Sequence, residues 1–186
     1  GELKRKERLS ARLGDVLSHL YMASAVLKYY EDEGRPEEDL PHVQWCLEDS
    51  LSAIYIAFDE FFANFPVGVV GAVLRRMVFP FGRAYRPVSD DLNATLASLM
   101  MQPTELRDRL SALCFLPKDP EDPVGLIEAT FDKLVQVEPA YNKYYKALSK
   151  GLLPGLALEE RLEQAVEQGV LTAEEVVEVG EYDRLR

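Results

Sequence analysis

Two long apolar stripes with helical spacing occupy residues 3–65, and only a short polar stretch, EDEGRPEED, separates them. In the first, Leu9, Leu13, Val16, Leu17, Leu20, Ser24 and Leu27 recur every three or four residues, and no proline interrupts the run. Gly34, Arg35 and Pro36 end it. In the second, the stripe is Leu40, Val43, Leu47, Leu51, Ile54, Phe58, Phe61, Phe62 and Phe65. Asp39 is placed to cap its start. Pro41 is tolerated there because first-turn amides have no intrahelical partner, and Pro66 stops the helix. Two helices of about 40 Å joined by so short a loop must pack antiparallel. The expectation is a hairpin over residues 2–33 and 39–65, with the two stripes facing each other. Stripes of that bulk also require further helices to cover them.

Shorter helices are expected at 67–79, at 90–101 behind a Ser89 cap, and at 103–115 opening on Pro103. Asp122 and Pro123 start another that runs to about Gln136. Pro139 is expected to break or kink it before 139–150, where Tyr141, Tyr144, Tyr145 and Leu148 keep helical spacing as core and rim. GLLPG at 151–155 reads as a turn, and a helix over 156–168 ends at Gly169. TAEE at 172–175 is a capping box that opens a last helix to about Leu185. No segment alternates with period two between turn signals; EVVEVG at 175–180 comes nearest, and the capping box argues against it. The fold class is all-α, with a bundle over 1–150 and a small acidic helical pair over 151–186, packed on the bundle or linked to it.

Charge narrows the partners. A formal net charge of −11 makes nucleic acid an unsuitable ligand, because phosphate binding needs a basic surface. The distribution is uneven: Lys4, Arg5, Lys6, Arg8 and Arg12 crowd the first residues, whereas the stretch from Glu159 to Arg186 is acidic. The charged opening behind Gly1 is neither a signal peptide nor a natural start, so the chain is expected to be a segment of a longer protein. No stretch is long and apolar enough to span a bilayer.

Reactive constellations are absent from the pattern. The only histidines, His19 near Asp15 and His42 near Asp39, cannot supply the paired Glu-x-x-His motifs of a di-iron bundle, and no metal is expected. Cys46 and Cys114 sit in apolar helical patterns and are expected to be reduced, buried thiols. There is no nucleophile elbow, and no phosphate-binding glycine motif. The glycines of PVGVVGAV lack a preceding strand. No catalytic residue and no cofactor-binding residue is assigned.

One segment stands apart. Between Glu60 and Asp90 there is no acidic residue, while Arg75, Arg76, Arg83 and Arg86 fall among valines, Leu74, Met77, Phe79 and Phe81. Two readings compete. Helix 67–79 packs its apolar side on the hairpin and its arginines bond carbonyls or carboxylates; or the segment faces something else, an anionic membrane interface or an acidic protein surface. Arg75, Arg76, Phe79, Phe81, Arg83 and Arg86 are the candidate interface.

The strings GELKRKERLSARLGDVLSHLYMASAVLKYYEDEG, LPHVQWCLEDSL, NFPVGVVGAVLRRMVFPFGRAYRPVSD and GVLTAEE resemble the C-terminal region of the long-chain acyl-CoA dehydrogenases of bacterial fatty-acid degradation. RLGDVLSHLYMASAVL is more distantly similar to the second helical bundle of the very-long-chain enzymes. The resemblance covers nearly the whole chain and is loosest over 115–155. It implies a parent enzyme that oxidises fatty acyl-CoA to trans-2-enoyl-CoA with FAD and passes electrons to an electron-transfer flavoprotein. The elements that hold the flavin and the catalytic glutamate lie outside these residues. The fragment is therefore expected to be inactive alone and without cofactor, supporting the upstream catalytic domains, a homodimer or a peripheral contact with the inner membrane from the cytoplasm. The alternative is a stand-alone helical adaptor for an acidic protein or an anionic membrane.

Overall fold

The structure, a computed structural model, describes residues 6–117, 119 and 121–186. Among the described residues it contains eight α-helices and no strand: α1 Glu7–Asp32, α2 Leu40–Ala63, α3 Gly68–Val78, α4 Asp90–Met100, α5 Glu105–Ser111, α6 Pro123–Ser149, α7 Leu158–Glu167 and α8 Ala173–Leu185. The all-α expectation holds. The chain divides into two compact units, residues 1–99 and 100–186.

In the first unit α1 and α2 form the expected hairpin. The reversal is a Schellman motif. Gly34 N–H donates to the Glu31 carbonyl at 3.1 Å, and Arg35 N–H reaches the Tyr30 carbonyl at 2.9 Å. Gly34 has φ +84° and Arg35 φ +59°, so two successive residues sit in the left-handed region. The same bond pattern closes α6 and α7, at Gly151 and Gly169. A single 3-10 turn, Glu37–Asp39, leads into α2. Asp39 is buried in helical conformation and its side chain does not cap α2, contrary to the expectation.

The hairpin forms, but α1 is rotated relative to the expected stripe. The residues of α1 that lose exposure are Leu9, Arg12, Val16, His19, Ala23, Val26 and Tyr30, a heptad pattern one residue out of step with the leucines. Leu13, Leu17, Leu20 and Leu27 are exposed, Leu17 at 67% and Leu20 at 53%. Among the inward positions is Arg12, which donates from Nε to Glu60 Oε2 at 3.0 Å and so ties α1 to α2. The α2 stripe is better placed. Val43, Phe61 and Phe62 are buried, Leu47, Leu51, Ile54, Phe58 and Phe65 are half-buried, and Leu40 is exposed. Its lower end gathers Leu9, Phe61 and Phe62 into a core that Phe58, Phe65, Leu74 and Phe79 complete. α4 is capped as expected, Ser89 Oγ accepting from Leu92 N–H at 3.2 Å, and Trp45 Nε1 donates to Asn93 Oδ1 at 2.7 Å, tying α4 to α2.

The second unit is built on α6, which packs against α8. Of the break or kink expected at Pro139, the break does not occur: α6 runs through it, and Pro139 is exposed while Val137 and Ala140 are buried, so the proline sits on the solvent side of the helix. α5 is shorter than expected. It starts behind Thr104, whose hydroxyl accepts from Arg107 N–H, and ends at Ser111, where exposed Leu113 and Phe115 bring no packing to prolong it. The core joins Ala140, Tyr144 and Ala147 of α6 to Leu153, Leu162, Ala165, Leu171 and Val179. It therefore draws on both sides of the boundary expected at 150, with the acidic pair α7–α8 packed on the last turns of α6. Lys133 with Glu181 and Lys143 with Glu175, each 2.7 Å, bracket that contact. The capping box is fully formed: Thr172 N–H donates to Glu175 Oε2 at 2.9 Å and Glu175 N–H to Thr172 Oγ1 at 3.2 Å. Tyr144 is buried, Tyr141 half-buried and Tyr145 exposed, the expected core-and-rim arrangement.

Candidate functional site

The acid-free segment folds as α3 and an irregular stretch to Ser89. Pro66 separates it from α2, and α3 then returns against the α2 end. Gly71 makes that return possible. It is buried, and a Cβ there would lie 2.4 Å from the Phe62 carbonyl oxygen and 2.9 Å from Phe65 Cβ. Only glycine lets the two backbones meet so closely. On the same side of α3, Leu74 enters the aromatic core, and Phe79 follows it with ring centroids 4.6 Å from Tyr55, 6.3 Å from Phe58 and 6.4 Å from Phe62.

The candidate residues therefore separate. Phe79 is a core residue. Phe81 is 97% exposed. Arg75 Nη2 lies 2.5 Å from Asp59 Oδ1, and that carboxylate, with a hydrogen bond that Arg75 donates to the Tyr55 side chain, holds the guanidinium above its ordinary pKa. Arg76 Nη1 donates to the Pro80 carbonyl. Arg83 stacks 5.8 Å over the Tyr55 ring, and its Nε donates to the Tyr85 carbonyl at 3.2 Å. Arg86 is exposed. Carbonyls and a ring orient Arg76 and Arg83 without cancelling their charge, whereas Arg75 meets a carboxylate. Tyr55, Arg75, Arg76, Phe79 and Gly82 line an open depression of about 290 Å³.

The other side of α3 presents Val69, Val73 and Met77, four residues apart and exposed, with Arg76 among them; Phe81, beyond the helix, is exposed as well. The basic patch at the chain start is placed only in part: Lys4 and Arg5 lie outside the described residues, Lys6 and Arg8 are exposed, and Arg12 is drawn into the hairpin by Glu60.

Elsewhere the structure corrects the thiols. Cys114 is exposed and lies beyond the end of α5, because that helix stops early; Cys46 is half-buried on α2, where desolvation, with Asp49 assisting, pushes its pKa up. Burial lowers His42 against the pull of Asp39. His19 is half-buried, its Nδ1 buried without a hydrogen-bond partner among the described residues. No group of three metal-ligating side chains comes together among the described residues, and none of their helices is long and apolar enough to cross a membrane.

A family model described as acyl-CoA dehydrogenase, C-terminal, bacterial type, matches residues 1–186. The chain belongs to that family. No solved structure gives a significant match. This acyl-CoA dehydrogenase C-terminal domain thereby acquires a context in which FAD serves the parent enzyme. Two of its glycines are committed to packing, Gly71 against the Phe62 carbonyl and Gly125 against the backbone of Asp119, where a Cβ would come within 2.0 Å of the carbonyl oxygen. The surface missed by sequence reasoning is the outward leucine face of α1; its only sequence signal is that the leucines keep heptad spacing one residue away from a second, less apolar heptad.

Proposed function

We propose that this domain is the non-catalytic helical part of an FAD-dependent enzyme that converts fatty acyl-CoA to trans-2-enoyl-CoA in β-oxidation and hands electrons to an electron-transfer flavoprotein. Its own role is support and contact. The family match over residues 1–186 carries the reading. The contact role falls to the outward side of α3. Val69, Val73, Met77 and Phe81 offer an apolar stripe that suits the headgroup region of a bilayer, and Arg76, Arg83 and Arg86 suit anionic lipid. A helix of 11 residues lies in that interface and does not span it. The parent is then a cytoplasmic enzyme resting on the inner membrane.

Two measurements test this. The purified chain should be colourless and inactive on palmitoyl-CoA with an artificial electron acceptor; turnover by the chain alone refutes the support role. Co-sedimentation with vesicles should rise with the fraction of phosphatidylglycerol and fall with salt. Binding unchanged by the triple replacement Arg76→Gln, Arg83→Gln and Arg86→Gln would assign the contact to another surface.

A further inference from the structure

The groove between α7 and α8 joins an apolar floor to a row of unpaired carboxylates. It is open, holds about 490 Å³, and is lined by Leu162 and Val166 of α7, Val176 of α8, and Glu159, Glu163 and Glu167. By the 100° advance per residue, the three glutamates form one row along α7, and Leu162 and Val166 form a second row beside it. Leu162 is buried, but Val166 is 41% exposed and Val176 is half-buried, so the floor continues outward into solvent. Arg161, the only basic residue of α7, stands about 160° around the helix from Glu163 and turns its Nε to the Ala157 carbonyl. Among the described residues none of the three carboxylates has a hydrogen bond or an ion pair. The acids of α8 that meet α6 differ: Glu175 pairs with Lys143, and Glu181 with Lys133. Like charges four residues apart repel along a helix, and Glu167 stands in the last turn, where the macrodipole favours a base. The row therefore lowers the stability of α7 without a compensating bond among the described residues.

The lining selects the occupant. Three carboxylates at the rim repel nucleic acid and an anionic lipid surface, and a purely apolar ligand would leave them unmatched. A cation without apolar side chains would leave the floor uncovered. A basic amphipathic helix meets both parts: its apolar anchors, three and four residues apart, cover the floor, and lysine or arginine beside them meets the row. From Glu159 to Glu167 the row runs about 12 Å, the length of just over two turns of such a helix. We propose that the α7–α8 groove is the docking site for a basic amphipathic helical segment of a partner protein. Its apolar side chains rest on Leu162, Val166 and Val176, and its cations pair with Glu159, Glu163 and Glu167. This surface is opposite in charge to the outward side of α3, so its partner is of a different kind from the anionic membrane proposed there.

Fluorescence anisotropy tests this. The probe is a labelled helical peptide of about 14 residues, with leucine at three- and four-residue spacing and lysine between, titrated with the full chain. The peptide should bind, and more weakly at high salt. Glu159→Gln, Glu163→Gln and Glu167→Gln together should weaken binding more than about tenfold. Glu37→Gln, Glu38→Gln and Asp49→Asn together make the same change of charge on the first unit and should weaken it less than about twofold. Val166→Ser should weaken it about threefold or more, and a peptide whose leucines are replaced by serine should not bind. All the replaced residues of the chain are exposed, so helical circular dichroism should be unchanged. Equal losses from the two triple variants, or binding that survives removal of the leucines, would reduce the contact to net charge and overturn the proposal. No binding up to about 1 mM chain would overturn it as well.

Discussion

Replacing Gly71 by alanine isolates the contact that holds α3 on the hairpin. Glycine to alanine within a helix is ordinarily favourable by about 1 kcal/mol. At Gly71 the new methyl would lie 2.4 Å from the Phe62 carbonyl oxygen, a backbone atom that cannot rotate away. Overpacking of this kind costs about 1–3 kcal/mol, so the net effect is expected to run from neutral to a loss of about 2 kcal/mol. Gly14 is the internal reference. It lies in the interior of α1 with nothing within 4 Å of its would-be Cβ, so Gly14→Ala collects the propensity gain alone. The propensity term cancels between the two variants, and their difference reads the steric cost directly. The chain has a single tryptophan, Trp45 on α2, so fluorescence during urea unfolding reports the hairpin. With a slope of about 2 kcal/mol per molar, the two midpoints should stand about 0.5–1.5 M apart, Gly71→Ala the lower. Equal midpoints would mean that α3 does not seat on the Phe62 carbonyl, and the description of the candidate site would fail with it.

Phe79→Ala should cost about 3 kcal/mol or more by opening the aromatic core, whereas Phe81→Ala should stay within about 0.5 kcal/mol and lower vesicle binding instead; urea titration and co-sedimentation separate the two. Hydrogen bonding from Lys143, with the Thr172 backbone second, lowers the pKa of Glu175, and Lys133 does the same for Glu181. A depressed folded-state pKa means stability that is present above the ordinary carboxylate range and is lost as pH falls through the folded value. α8 should therefore loosen on acidification, and Glu175→Gln should flatten the pH dependence of tyrosine near-ultraviolet dichroism. Ellman's reagent should modify Cys114 quickly in the native protein and Cys46 slowly, since Cys46 is shielded and its thiolate is disfavoured.

Which helices exist was legible where local chemistry decided the matter. Ser89, the capping box at Thr172, and Gly34, Gly151 and Gly169 all act through bonds to residues a few positions away, and each marks an element boundary in the structure. What failed was rotation and continuity. Ranking residues by hydrophobicity selects Leu13, Leu17 and Leu20 for the α1 seam, but the residues that lose exposure are Arg12, His19 and Ala23. Pro139 stays inside α6 on its exposed side, and nothing local says on which side of a helix a proline will fall. For the candidate interface, spacing alone could not tell Phe79 from Phe81. Two residues apart, one ends in an aromatic core and the other in solvent, because α3 stops at Val78 and the chain turns between them.

The turn at Gly34 and Arg35 also bears on how quickly the first unit assembles. A left-handed arginine costs about 1–2 kcal/mol, and here the Arg35 guanidinium bonds Glu31 at 2.6 Å while its amide bonds Tyr30. Every group that fixes the reversal lies within five residues of Arg35, so the chain can double back before any distant segment is in place. The two arms then zip from the turn outward, each new pair only slightly farther apart in sequence than the last. A topology of such low contact order belongs to the fast class of folders, in the microsecond-to-millisecond range, and the aromatic knot around Phe61 and Phe62, at the far end of the arms, is the last part of the hairpin to close.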